Sequence, residues 1–398
     1  MSRSAATSAA AEKRVSQPKV AARYVSPVTG EAFSTEKALW STKDGSHLNL
    51  SVGDGLKADQ IATDKRSLWR YAAAIRVDAT NPISLGEGWT PLIDGNWGGH
   101  DVSFKLEYVA PSGSFKDRGT TVLFTYLRNV GVTSVLEDSS GNAGASMATY
   151  AAAGNMKCRI LVPAAAPRAK IAQIAAMGAE VQLVGGTRQD VVLEALRQAK
   201  EIFYASHNWQ PFFIEGTKTL AFELWEQLEF KTPDAVVVPV GYGSNVLGLW
   251  IGFNELLRAG VVDRAPRIYA VQAENCAAFH KAWSKGVDEF VPFEPKPTIA
   301  DGIASLHPVR MKEVLGAVRA SGGAVVAVSE SEIATALGQL AQRGFFVEPT
   351  SASAGAALTQ LQQQGLVAAD ERVVVVLTGS GLKAADKVGD VLGVLPRN

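Results

Sequence analysis

A lysine whose charge gains nothing from its position is the first candidate for chemistry. Lys116 sits in Ser114-Phe115-Lys116-Asp117-Arg118-Gly119, after the apolar run 104–109 and where a helix opens. The positive end of a helix dipole disfavours an ammonium group there. A neutral amine can form a Schiff base with an aldehyde cofactor, whereas a surface lysine beside Asp117 needs no such chemistry. This stretch alone leaves both readings open. Three further loops carry small residues after apolar runs. Asp138-Ser139-Ser140-Gly141-Asn142-Ala143-Gly144 lets backbone N–H groups approach an anion, and Asn142 either caps the next helix or donates to a ligand oxygen. Gly241-Tyr242-Gly243-Ser244-Asn245 exposes successive N–H groups at a helix start. A dinucleotide fingerprint would need a third glycine where Val246 stands, so the loop fits a single phosphate. Thr378-Gly379-Ser380-Gly381-Leu382-Lys383 puts a hydroxyl at a strand end, where it can meet a heterocycle nitrogen or simply belong to a turn.

These loops need a scaffold that gathers them. Buried-strand runs at 102–109, 134–136, 159–162, 180–184, 235–240, 268–272, 324–328 and 372–377 alternate with Ala-rich stretches at helical spacing, such as 120–129, 143–153, 188–202 and 246–259. That alternation predicts an α/β chain with parallel-rich sheets flanked by helices. Such sheets bind ligands at the carboxyl ends of their strands, where all four loops lie.

Composition narrows the partners. Lysine plus arginine and aspartate plus glutamate each total 39, so no global field attracts nucleic acid. Hydrophobic residues make 47% of the 398, which excludes a wholly disordered chain. Cys158 and Cys276 cannot build a disulfide scaffold or a four-cysteine zinc site, and read as buried thiols of a reducing compartment. No apolar stretch is long enough for a bilayer, so no membrane partner is expected. Residues 1–20 lack the apolar core of a secretory signal and read as a flexible tail; a cytoplasmic location follows. His207, His280 and His307 lack metal-ligand spacing and read as structural.

Each loop is weak singly; the four in this order resemble the fold-type II pyridoxal-phosphate enzymes, the tryptophan synthase β-like group, and within it the threonine synthase family. Gly86-Glu87-Gly88-Trp89-Thr90-Pro91-Leu92, Glu215-Gly216-Thr217-Lys218-Thr219 and Phe346-Val347-Glu348-Pro349-Thr350-Ser351 add to the likeness, which spans about residues 80–390. The resemblance implies a pyridoxal 5'-phosphate-dependent lyase of two lobes, 113–205 small and 21–112 with 206–398 large, acting as a homodimer on a small amino acid. It implies that Lys116 is the Schiff-base lysine and general base, and that Phe115 packs beside the cofactor ring. Asn142 would meet the cofactor's 3′-oxygen. Gly241, Tyr242, Gly243, Ser244 and Asn245 would hold its phosphate, and Thr378 would face the pyridine nitrogen. Ser139, Ser140, Asn142 and Ala143 would bind the substrate carboxylate. A hydroxyl cannot protonate pyridine as a carboxylate could, so the electron sink is weaker and suits elimination or replacement at Cβ more than transamination.

Two positions depart from that family. Alanine stands at 143, where threonine is common and where dehydratases carry an Asn-Ala-Gly run like this one. Phe213, in Gln210-Pro211-Phe212-Phe213-Ile214-Glu215, stands where an arginine binds the substrate phosphate. Losing such a contact costs roughly 2–5 kcal/mol, unless another cation such as Lys218 or Arg118 compensates. Conversion of O-phosphohomoserine to threonine is the nearest match. The alternative is a serine/threonine dehydratase, ammonia-lyase or β-replacement enzyme on an unphosphorylated amino acid. The intact lysine motif argues against a non-catalytic binder. The cysteines of a small metal knuckle are missing near Arg23, so no metal is expected.

Overall fold

The computed structural model describes residues 21–395 apart from 165 and 167; the tail expected at 1–20 lies outside the described residues. An antiparallel three-stranded sheet comes first, from β1 (Arg23–Val25), β2 (Ala32–Ser34) and β3 (Asn49–Leu50), ordered β2-β1-β3. The hairpin β4 (Leu92–Trp97) and β5 (His100–Leu106) follows. Next come β6 (Ser134–Glu137), β7 (Lys157–Pro163), β8 (Glu180–Val184) and β9 (Phe203–Tyr204), which form a parallel sheet ordered β8-β7-β6-β9. The remaining strands are β10 (Ala235–Pro239), β11 (Arg267–Ala273), β12 (Ala324–Val328) and β13 (Val373–Leu377). They join the hairpin in a six-stranded sheet ordered β12-β11-β10-β13-β5-β4, parallel except at the β4 edge.

The apolar runs make strands because both faces of the larger sheet are covered. Val236, Val238, Val374 and Val376 pack with Phe222, Leu249 and Phe253 on one side. Their neighbours Val237 and Val375 pack with Phe104, Leu340 and Leu358 on the other. All eight expected strands form. The run at 102–109 stops at Leu106 and closes with a 3-10 turn, Glu107–Val109, which sends the Glu107 carboxylate to Arg118. The sequence reading missed β4, because Ile93, Asp94, Gly95 and Asn96 are exposed and an edge strand needs no apolar pattern.

Two glycines fix how the helices meet. Helix Lys116–Asn129 crosses helix Pro211–Thr217 so closely that a Cβ on Gly216 would lie 2.0 Å from the Arg118 carbonyl oxygen. A Cβ on Gly119 would lie 2.5 Å from the Phe213 ring. The amino-terminal sheet is fastened by Arg310, a buried side chain whose Nη2 donates to the carbonyls of Leu48 (2.7 Å) and Trp209 (2.8 Å). Its Nε also donates to the Asn208 carbonyl at 3.3 Å. Cys158 and Cys276 are buried free thiols. No helix among the described residues is long and apolar enough to cross a membrane.

Candidate active site

The loops after β5, β6, β9, β10 and β13 converge on a cavity of about 1820 Å³. Phe115, Lys116, Ser139, Ser140, Asn142, Ala143, Gly241, Tyr242, Gly243, Ser244, Asn245 and Thr378 all line it. The residues expected around the cofactor and the substrate carboxylate therefore share one space, at the strand ends where a parallel sheet leaves its crevice.

Lys116 opens its helix, and Asp117 anchors the turn before it. The buried Asp117 carboxylate accepts the Ser112 N–H (2.7 Å) and the hydroxyls of Ser112 (2.5 Å) and Ser146 (2.6 Å). The Phe115 N–H donates to the Thr378 carbonyl at 3.0 Å, tying the lysine loop to the end of β13. The Lys116 amine makes no hydrogen bond or ion pair to any described residue, and it lies 4.6 Å from the Phe115 ring centroid and 5.8 Å from that of Phe213. Burial pushes the amine down to about 8 against the opposing pull of Glu137 and Glu348.

The glycine loop after β10 is a cradle. Gly243 has φ 98°, and a Cβ there would lie 2.2 Å from Val314 Cγ2. It starts helix Ser244–Arg258 with no side-chain cap and no acidic residue in the first turn, so the first N–H groups face the cavity without a counter-charge. The Asn245 amide is buried, and neither its Oδ1 nor its Nδ2 has a partner. The Asn142 loop also starts a helix, Asn142–Ala153, without a side-chain cap, and Asn142 Nδ2 donates to Glu348 at 3.0 and 3.2 Å. Thr378 Oγ1 lies 3.1 Å from Ser351 Oγ. An unpaired amine at the cavity wall, an uncapped helix start and an orphaned amide suit a group carrying an aldehyde and a phosphate, so these residues fit pyridoxal phosphate. Cofactor-free protein is expected to capture it faster as pH rises toward about 8, and at a steady rate above, followed by visible absorbance. A rate indifferent to pH below 8 would mean that another group is the nucleophile.

The cations expected to stand in at position 213 are elsewhere. Lys218 is buried between Glu215 (2.8 Å) and Glu255 (2.9 Å). Arg118 is buried between Glu107 and Glu223. Neither lines the cavity, because both side chains turn into the helix interfaces. Phe213 itself is buried in the core of the smaller sheet. The cavity instead receives Arg188, the first residue of helix Arg188–Gln198. Its Nη2 donates to Asp138 Oδ2 at 2.7 Å, while Nη1 is buried without a hydrogen-bond partner. His207, read as structural, also lines the cavity, 6.0 Å from the Tyr242 ring. It leans on Glu137, the last residue of β6. Arg188 was detectable by the rule that found the other loops, since it follows β8 and the turn Gly185-Gly186-Thr187. His207 follows β9, which at two residues leaves no readable pattern.

Comparison with known proteins gives the same direction. A family model described as pyridoxal-phosphate dependent enzyme matches residues 83–379. A threonine synthase of Methanocaldococcus jannaschii is 35% identical over 371 residues, covering 90% of this chain and 92% of that protein. One from Bacillus sp. is 36% identical over 331 residues, covering 81% and 91%. Among solved structures, an L-serine ammonia-lyase from Rhizomucor miehei superposes with a TM-score of 0.66 at 24% identity, covering 77% of this chain and 98% of that one. A threonine deaminase isoform from Solanum lycopersicum gives 0.65 at 20%, covering 86% and 90%.

Proposed function

Because the chain belongs to the threonine synthase family of pyridoxal-phosphate dependent enzymes, we propose that it converts O-phospho-L-homoserine and water to L-threonine and phosphate. The observation that carries this reading is Arg188, a guanidinium at the cavity wall with one buried nitrogen left unpaired. Arginine suits a phosphate because its planar fork matches the oxygens.

When bound, pyridoxal phosphate supplies the electron sink that lets an amino acid lose its Cα proton. Lys116 would hold the cofactor's aldehyde and, as a free amine, would take and return the proton at the substrate's Cα. Gly241, Tyr242, Gly243, Ser244 and Asn245 would hold the cofactor phosphate, and Phe115 and Thr378 would hold its ring and ring nitrogen. The loop Ser139, Ser140, Asn142 and Ala143 presents donors to the substrate carboxylate at the start of its helix. Residues 113–205 would act as the small lobe that closes over that carboxylate and excludes water, with 21–112 and 206–398 as the large lobe.

Cofactor-loaded protein should release phosphate and form threonine from O-phospho-L-homoserine; no phosphate release would end this reading. Arg188→Leu is expected to raise KM for that substrate about ten- to a hundredfold, the loss of one charged hydrogen bond, with kcat changed less. An unchanged KM would remove Arg188 from the substrate's path. The second reading, water or ammonia loss from an unphosphorylated amino acid, is favoured by Asp138, which already neutralises Arg188, and by the burial of Phe213. Turnover of L-serine or L-threonine without phosphate release would select it. We further assign the protein to the cytoplasm, supported by its two unpaired buried thiols, and, from family likeness alone, to a homodimer. Sedimentation would test the latter.

A further inference from the structure

The cavity holds a pair that the functions above leave idle. His207 Nδ1 lies 3.1 Å from Glu137 Oε1, and the His207 backbone N–H donates to Glu137 Oε2 at 3.2 Å. Both side chains are buried, and the imidazole lines the cavity. A carboxylate that receives two bonds from one histidine fixes both the ring's direction and its tautomer. Nδ1 is thereby committed to Glu137, and Nε2 makes no hydrogen bond to a described residue. The ring stands edge-on to Phe213 at 5.7 Å, and Lys116 approaches the same phenyl at 5.8 Å. The two side chains thus approach the same buried phenyl and line one cavity.

We propose that His207, oriented by Glu137, is a second proton-transfer residue of this cavity and serves the oxygen at substrate Cβ, while Lys116 serves Cα. The proposal rests on the lyase reading above. As water adds, its oxygen bonds to Cβ and one of its protons passes to Nε2. That proton is matched by the one Lys116 returns to Cα, so one water enters across Cα–Cβ. In reverse Nε2 first takes a proton from solvent; the Cβ–O bond then breaks with its electron pair on oxygen, which leaves as water with that proton. The same residue therefore fits a synthase that ends in hydration and a dehydratase that begins with water loss. Glu137 acts through His207 and is a positioning residue. The charged and titratable groups facing the ring are Glu137, Asp138, Lys116, Arg188 and Tyr242. Burial first, then the Lys116 charge, holds the imidazole well below its ordinary value, which keeps the resting ring neutral and its Nε2 open to the proton that water gives up. Burial pushes Glu137 up to about 7 against the His207 N–H, Arg188 and Lys116.

The test uses full-length, cofactor-loaded protein with His207→Gln, His207→Asn and Glu137→Gln. Three reactions are followed: exchange of the Cα proton of L-threonine with heavy water, loss of its hydroxyl, and chloride release from β-chloro-L-alanine, whose leaving group needs no proton. Hydroxyl loss is expected to fall about a hundredfold or more in the His207 variants and roughly tenfold in Glu137→Gln. Cα exchange and chloride release should stay within about threefold, since Lys116 alone serves them. A residue needed only for folding or cofactor retention would depress all three together, and that result overturns the proposal. So does unimpaired hydroxyl loss in the variants, or a wild type that exchanges Cα but never loses the hydroxyl. A wild type with no Cα exchange and no visible absorbance fails earlier, at the lyase reading, and takes the proposal with it. Independently, nitrogen-15 NMR of cofactor-free protein above about pH 7, where Glu137 is ionised, should show His207 neutral with its proton on Nδ1. A proton on Nε2, or a charged ring, overturns the assignment.

Discussion

A Lys116→Ala protein is expected to lose turnover by at least about three orders of magnitude, since one nitrogen is both the attachment point and the base at Cα. Borohydride reduction followed by peptide mapping should place a pyridoxyl group on Lys116 in the wild type and nowhere in the variant. An adduct on a different lysine would force the site to be redrawn. The fold should survive, because the amine makes no hydrogen bond or ion pair to a described residue. Stability should even rise in the cofactor-free protein. Burial lowers the amine from 10.5 to about 8, so below pH 8 the folded state carries an ammonium it disfavours. The variant's advantage is thus largest below pH 8 and fades as pH climbs from 8 to 10.5. An advantage that grew with pH would contradict this placement of the amine.

The second large effect lies two residues along the same helix. Arg118 donates Nε and Nη2 to Glu107 (2.6 and 2.7 Å) and Nη1 and Nη2 to Glu223 (2.9 and 2.8 Å), all at essentially zero exposure. Lys105 Nζ pairs with Glu223 too. Arg118→Met keeps the length but strands two buried carboxylates against one ammonium. It should cost about 3–5 kcal/mol, the usual penalty for removing one partner of a buried ion pair. Chemical denaturation would read this, and a loss under about 1 kcal/mol would show that water or another group reaches the carboxylates. Adding Glu107→Gln should recover much of the loss, because the stranded charge costs more than the missing attraction. Burial alone would raise the Glu223 carboxyl, but Arg118 and Lys105 overcome it and hold it well below its ordinary 4.5. Stability from this cluster is therefore complete above about pH 4.5 and lost as pH falls below it.

Sequence and structure agree most where chemistry and backbone demands coincide. Lys116, Asn142, Gly243 and Thr378 were legible because each sits in a loop after a buried run, and parallel strands deliver such loops to one edge. Gly243 adds a left-handed φ that few other residues tolerate. Arg188, His207 and Glu137 were not legible as a group, since nothing local links a helix start, a two-residue strand and the end of β6. Only the order of the parallel sheet, β8-β7-β6-β9, makes them neighbours. Lys218 and Arg118 were plausible cations by type, yet each lies at a crossing where glycine brings two helices together, and its charge is spent on glutamates there.

The Arg310 fastening bears on where the catalytic unit begins. The region shared with the wider family starts at residue 83, yet the carbonyl of Leu48 shares a guanidinium nitrogen with that of Trp209, two residues beyond His207. A fragment cut at the family boundary would leave a buried cation short of acceptors directly behind the rim that presents His207. Minimal versions and fusion junctions should therefore retain the antiparallel sheet; without it they would yield a looser enzyme rather than a smaller one.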